Sequence, residues 1–187
     1  MAQTPSTMIA LGTVAPDFSL PDVVSGQTVS LTELRSEKAT LVMFICNHCP
    51  FVKHIQRELV QLATDYLPQQ VAIIAINAND AETYPQDNPE AMKATALEWQ
   101  YPFPYLYDET QEVAKAYQAA CTPDFFLFDG QMRCVYRGQL DDSRPNNGIP
   151  VTGQDVRRAI DAVLSDQNVP EPQKPSIGCN IKWRKTT

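Results

Sequence analysis

No apolar run in the 187 residues approaches the ~18–20 that a membrane-spanning helix needs; the longest is the stretch from Ala39 to Cys46. The first basic residue is Arg35, so a secretory leader with a charged start is not expected. Lys and Arg number 15 against 22 Asp and Glu, giving a formal charge of −7. That balance argues against nucleic acid as a partner, because affinity for a phosphate backbone rests on cations. Cysteine is sparse, with five in all, far below the density of a disulfide-stapled secreted scaffold. Histidine is sparser: with one CxxC, no second cysteine pair and only His48 and His54, a four-ligand structural zinc site is the weaker reading. At 43% hydrophobic and 20% charged, the chain is neither disordered nor fibrous. A cytoplasmic globular protein is expected, with no metal or cofactor and no membrane or nucleic-acid partner. In such a reducing compartment, closely spaced cysteines are more often catalytic or metal-binding than structural.

Strand and helix patterns alternate along the chain. Asp17–Leu20 and Gln27–Leu31 read as a strand pair about the Ser25-Gly26 turn signal. Thr40–Ile45 and Val71–Ile76 are continuous apolar runs, as in strands buried on both faces. Between them Val52, Ile55, Leu59, Leu62 and Tyr66 recur at spacings of three and four, one face of a helix starting at Pro50. The three together predict a βαβ unit with a parallel pair. Asn88-Pro89 resembles a cap and first turn for a helix that turns Met92, Ala96 and Trp99 inward. Pro104–Tyr107 reads as extended, and Val113, Ala116, Tyr117 and Ala120 as another helical stripe. Phe125–Phe128 and Met132–Tyr136 flank Asp129-Gly130, a two-residue hairpin signal, and Thr152 with Asp155 resembles a capping box before Val156, Ile160 and Val163.

One domain over residues 1–165 and a tail over 166–187 are expected. The tail carries Pro170, Pro172 and Pro175, then Lys174, Lys182, Arg184 and Lys185 with no acid from 174 onward. A basic tail on an acidic body either docks or stays solvated; Ile181 and Trp183 favour docking.

Chemistry concentrates at Cys46-Asn47-His48-Cys49-Pro50, between a buried strand and a helix start. Two thiols separated by two residues at a first helical turn can close a disulfide without moving the backbone. The helix N-terminus favours thiolate over thiol. Cys46, at the outer end, is the expected low-pKa nucleophile, and Cys49 the thiol that resolves its mixed disulfide. An imidazolium at His48 depresses a neighbouring thiol further. The bland alternative is two small buried hydrophobes. A second feature is Cys121-Thr122-Pro123-Asp124-Phe125, where proline precedes an apolar strand. Proline belongs at strand entrances and turns; a cis Thr122-Pro123 bond and an ordinary trans one are both open on composition.

Taken together, the order strand, CxxC, helix, strand, helix, proline-led strand, hairpin, helix resembles the thioredoxin-like fold. That implies an α/β chain with a central mixed sheet flanked by helices, an N-terminal β-hairpin extension and an extended C-terminal tail. Val14-Ala15-Pro16-Asp17-Phe18-Ser19-Leu20 resembles the start of the redoxin branch, which holds the alkyl hydroperoxide reductase and thiol-specific antioxidant proteins. Cys46–His54, Asp141–Arg144 and Ser176–Trp183 resemble a peroxiredoxin-like subgroup with a Cys-Asn-His-Cys motif. The resemblance implies that Cys46 attacks, Cys49 resolves, and Thr122 with Pro123 holds substrate backbone beside them.

The departures narrow the function. Where peroxiredoxins place a proline and a Thr or Ser ahead of the peroxidatic cysteine, this chain has Val42 and Cys46, and Thr122-Pro123 occupies the loop that should bring their arginine. Where thioredoxins carry a buried acid on the preceding strand, Thr40–Ile45 has none. The reading favoured is therefore a redox-active thiol-disulfide oxidoreductase acting on a protein or small-thiol partner. An atypical antioxidant peroxidase is the alternative, and a copper-delivery module a weaker one. Cys121 and Cys179 are possible additional redox thiols; burial is the simpler reading of Cys121, and tail anchoring an equal one for Cys179. Cys134 reads as packing, and His54 as a solvated helix residue.

Overall fold

The structure, a computed structural model, describes residues 3–185. Its strands and helices in chain order are β1 (Gln3–Pro5), β2 (Ser19–Pro21), β3 (Thr28–Ser30), α1 (Leu31–Leu34), β4 (Ala39–Phe44), α2 (Pro50–Tyr66), β5 (Val71–Asn77), α3 (Pro89–Glu98), β6 (Tyr105–Tyr107), α4 (Glu112–Ala116), β7 (Cys121–Thr122), β8 (Asp124–Asp129), β9 (Cys134–Gly138), α5 (Gln154–Leu164) and β10 (Ile177–Asn180). The central sheet runs β6-β5-β4-β8-β9. β4 pairs parallel with β5 and antiparallel with β8, which makes the sheet mixed. β2 and β3 form the short hairpin around Gly26.

Period-two alternation explains why β4 is apolar throughout. Leu41 and Met43 join Val52, Ile55, Leu59, Val156 and Ile160 on the face covered by α2 and α5. Val42 and Phe44 point the other way, into a second core with Phe18, Leu31, Ala114, Tyr117 and Phe126. Tyr117 anchors that side, with its ring edge-on to Phe126 and Phe128 at 5.9 Å and its hydroxyl donating to the Pro16 carbonyl at 2.9 Å. Asn88 caps α3, its Oδ1 accepting the Ala91 amide at 2.8 Å.

Four local expectations give way to tertiary contacts. Trp99 is 37% exposed rather than inward, because α3 ends at Glu98. The stripe expected to reach Ala120 is helical only over Glu112–Ala116. The β8–β9 connection is a wider turn, closed from the Met132 amide to the Asp129 carbonyl, with Met132 rather than Gly130 in the left-handed region. Thr152 caps nothing. Instead Asp141 Oδ2 accepts the amides of Thr152 and Gly153, each at 2.7 Å, and α5 starts after Gly153.

A second sheet, β1-β10-β7, ties both ends of the chain to the region preceding β8. In it Cys179 stands opposite Thr122 on one side and Gln3 on the other. Gly178 permits the approach, since a Cβ there would lie 2.0 Å from the Thr122 carbonyl oxygen. Beyond β10, Ile181 is buried at 1% exposure while Trp183 stays exposed beneath Lys115. Arg184 reaches Asp80 at 3.7 Å and Glu109 at 3.6 Å.

Candidate active site

β4 ends at Phe44, the Ile45 amide bonds the Ile76 carbonyl, and the chain leaves the sheet at Cys46. Cys49 is the N-cap of α2 and Pro50 its first residue, a position where a missing N–H removes nothing. The Thr122–Pro123 bond, which is cis, faces this turn. Cys46 Sγ lies 3.4 Å from Thr122 Oγ1, and the Cys49 thiol donates to the Thr122 carbonyl at 3.2 Å. Both sulfurs thus meet one residue of the cis corner.

The two thiols are hydrogen-bonded to each other, and their ionisation splits. That bond holds the Cys49 thiol down, to about 5, against burial, with help from Cys179 and from backbone amides at Val52 and Cys179. It pushes Cys46 well above the ordinary thiol range, together with burial and the charge of Asp87. The expectation names Cys46 as the low-pKa thiol; in the resting dithiol the interaction of the two sulfurs pulls Cys49 down and Cys46 up. The largest cause is the interaction of the two sulfurs with each other, to which the Asp87 charge adds at Cys46 and backbone amides at Cys49. Cys46 is also covered, at 3% exposure.

Asp87 was not legible as a site residue. Its carboxylate is fully buried and accepts the Asn47 amide at 2.7 Å on Oδ1 and the Asn79 side-chain amide at 2.8 Å on Oδ2, where it also binds His48 Nδ1. Burial pushes this carboxyl up, but the bonds from His48, Asn79 and Asn47 outweigh it and hold it below its usual value. With the carboxylate accepting, Nδ1 carries the proton, which leaves Nε2 as the imidazole's other face. Nε2 is buried and has no hydrogen-bond partner among the described residues. The imidazole stacks on Tyr84, with centroids 5.5 Å apart and planes 3° from parallel. Asn47 is held in turn by the Tyr105 hydroxyl at 3.1 Å and the Gln86 carbonyl at 2.8 Å.

A Cys46 sulfur, a His48 nitrogen and an Asp87 oxygen lie within 4.8 Å of one another, the arrangement through which a metal ion could be held. His48 and Asp87 already satisfy each other there, and three ligands fall short of a closed tetrahedral set.

Other expected residues are distributed unevenly. Cys179 sits in the same buried cluster as the dithiol, and burial, with help from Cys49, pushes its thiol up. Cys121 donates to the Pro123 carbonyl at 3.6 Å, and burial followed by the charge of Asp124 pushes its thiol up. Cys134 is buried within β9, pushed up to about 11 by burial. His54 is not simply solvated: its Nε2 meets Ser143 Oγ at 2.7 Å, while that hydroxyl donates to the Ile149 carbonyl at 2.6 Å. Asp141–Arg144 shapes that loop, since Ser143 N bonds Asp141 and Arg144 bonds Gln139.

Comparison with known proteins places these features. The AhpC/TSA family matches residues 11–137. A crystal structure of an uncharacterized conserved protein from Geobacillus kaustophilus is 63% identical, covers 100% of this chain and 99% of its own, and superposes with a TM-score of 0.99. The thiol-disulfide oxidoreductase ResA of Geobacillus thermodenitrificans is 26% identical over 162 residues, 86% of this chain and 82% of that protein. The thioredoxin domain of a thiol-disulfide oxidoreductase from Bacteroides vulgatus shares the thioredoxin-like fold, with a TM-score of 0.59 at 20% identity over 74% of this chain and 91% of that domain.

Proposed function

The chain belongs to the AhpC/TSA family, and from that premise we propose that it is a thiol-disulfide oxidoreductase whose exchanging pair is Cys46 and Cys49. The observation that carries this is the convergence of both sulfurs on Thr122 of the cis corner, at 3.4 and 3.2 Å. The partner is a protein or small-molecule thiol or disulfide, and Thr122 and Pro123 hold its backbone. No helix among the described residues is long and apolar enough to cross a membrane.

In the reducing direction Cys46 attacks a substrate disulfide. One substrate sulfur leaves as thiolate and the other is held in a mixed disulfide with Cys46. Cys49 gives up the proton it donates to the Thr122 carbonyl and attacks Cys46 Sγ, closing Cys46–Cys49 and releasing the second substrate thiol. The oxidising direction is the reverse.

Attack by Cys46 requires its proton to leave, and the neighbouring Cys49 thiol, burial and the Asp87 charge all hold that proton on. His48 is the proton acceptor in this scheme: Asp87 fixes Nδ1–H and thereby presents Nε2 as the basic nitrogen. A protonated His48 also offsets the Asp87 charge that disfavours the Cys46 thiolate. Asp87 is a positioning residue.

The family name favours peroxide as a second substrate class, but among the described residues no arginine hydrogen-bonds or ion-pairs with either thiol, so the O–O bond has no cationic donor there. The experiment is turnover of a mixed disulfide of a peptide and glutathione, run beside hydrogen peroxide, for wild type, Cys46→Ser and Cys49→Ser. Disulfide turnover lost in both variants, with a trapped mixed disulfide in Cys49→Ser, supports the exchange reading. Peroxide consumption that survives Cys46→Ser and disappears in Cys49→Ser overturns it in favour of a peroxidase.

A further inference from the structure

Three of the five cysteines gather around one residue. Cys46 meets the Thr122 hydroxyl at 3.4 Å, Cys49 meets its carbonyl at 3.2 Å, and Cys179 stands opposite it in the β7–β10 ladder. Cys46 and Cys179 each shift the ionisation of Cys49, so Cys49 has a thiol neighbour on each side. All three belong to the same buried cluster. Gly178 is what lets β10 come in this far, because any side chain there would strike the Thr122 carbonyl. The other two cysteines lie outside this chain of contacts: Cys121 Sγ turns to the Pro123 carbonyl and Cys134 Sγ to the Tyr136 carbonyl.

We propose that Cys179 is a third redox thiol, and that Cys49 is shared between two successive disulfides, Cys46–Cys49 and Cys49–Cys179. This rests on Cys46–Cys49 being the exchanging pair. The step is an internal exchange. Cys179, as thiolate, attacks Cys49 Sγ; the Cys46–Cys49 bond breaks as the Cys49–Cys179 bond forms; Cys46 leaves as thiolate and takes up the proton that Cys179 gave up. One disulfide and one thiol stand on each side, so no oxidant or reductant is consumed. Burial pushes the Cys179 thiol up to about 12, opposed by the nearby charge of Lys182, which makes the transfer slower than closure of the first disulfide.

The consequence is functional. After the transfer Cys46 is again a thiol beside the cis corner, the oxidised pair lies behind it, and the C-terminal strand is covalently tied to the start of α2. Since β10 also pairs with β1, the redox state of the dithiol reaches both ends of the chain.

The test is disulfide mapping of the full-length chain by non-reducing peptide mass spectrometry after oxidation with glutathione disulfide. Wild type, Cys46→Ser, Cys179→Ser and Cys179→Ala are compared. Both linked peptides, Cys46–Cys49 and Cys49–Cys179, are expected in wild type, a reading that needs no variant to fold. Cys46→Ser is expected to give Cys49–Cys179, and the Cys179 variants only Cys46–Cys49. In oxidised wild type a fraction of Cys46 stays open to iodoacetamide, and in the Cys179 variants that fraction is lost. Formation of Cys46–Cys49 with no Cys49–Cys179 in any sample overturns the shared-thiol proposal alone. Absence of Cys46–Cys49 from every sample overturns the oxidoreductase reading and, with it, this extension.

Discussion

His48 Nδ1 binds the buried carboxylate of Asp87 across 39 residues of sequence, fixing one face of the imidazole and leaving Nε2 buried with no hydrogen-bond partner among the described residues. The same carboxylate accepts the Asn47 amide, so one acid positions two residues of the dithiol motif.

Replacing Asp87 by Asn is expected to act on Cys46 in a definite direction. The Asp87 charge raises the Cys46 thiol, so its removal lowers that pKa, and below it each unit is about tenfold in thiolate. Alkylation of Cys46 at fixed neutral pH should rise, read by peptide mass spectrometry. Turnover should fall at the same time, because His48 loses its orientation. An unchanged or slower Cys46 alkylation contradicts the electrostatic role assigned to Asp87.

The reduced dithiol makes stability depend on pH. Cys49 is lowered from the usual thiol range to about 5 when folded, so the unfolded chain binds more protons between about 5 and 9. Stability from this group is therefore present above the unfolded value and lost as pH falls through about 5. Cys46 is raised, so its contribution opposes folding only at pH above the ordinary thiol value. Urea midpoints of reduced wild type relative to reduced Cys49→Ser should climb from pH 5 to pH 8. A flat difference shows that Cys49 holds no resting thiolate.

Much of this was legible in advance, and the failures share a cause. The apolar runs at β4 and β5 and the helical stripe of α2 announced themselves because burial on two faces leaves no room for polar residues. The CxxC signal and Pro123 were equally local. Asp87, Asn79 and Tyr84 were not, because they lie in the 78–88 loop, whose composition carries no periodicity and whose contacts with residues 47 and 48 exist only after folding. For the same reason the electrostatics of the pair are not local: a helix N-terminus can be read from Pro50, but a carboxylate facing Cys46 cannot. Asp141, two amide bonds strong at the start of α5, displaced Thr152 from a cap that its spacing alone suggested.

Gly178→Ala tests the close approach of β10. The added methyl would sit 2.0 Å from the Thr122 oxygen, and such overpacking costs about 1–3 kcal/mol. A lower urea midpoint is expected, together with faster alkylation of Cys179 in the native state. Wild-type stability would show that β10 does not pack against β7 in solution.

The segment after β10 separates into one packed and one exposed position. Ile181, buried in the second core, should cost about 2–4 kcal/mol on change to Ala, whereas exposed Trp183 should cost within about 0.5 kcal/mol. Equal and small effects at both positions would contradict a docked tail.

The most direct measurement is a redox titration of the full chain in glutathione buffers, reading the Cys46–Cys49 disulfide by mass spectrometry in wild type and in Cys179→Ser. A reversible two-electron couple between Cys46 and Cys49 is the expected result, retained in Cys179→Ser. A potential near ~−270 mV assigns a reductant, and one near ~−120 to −180 mV an oxidant or isomerase. If no Cys46–Cys49 disulfide forms in either protein at any poise, the dithiol is not the exchanging group and the central claim is wrong.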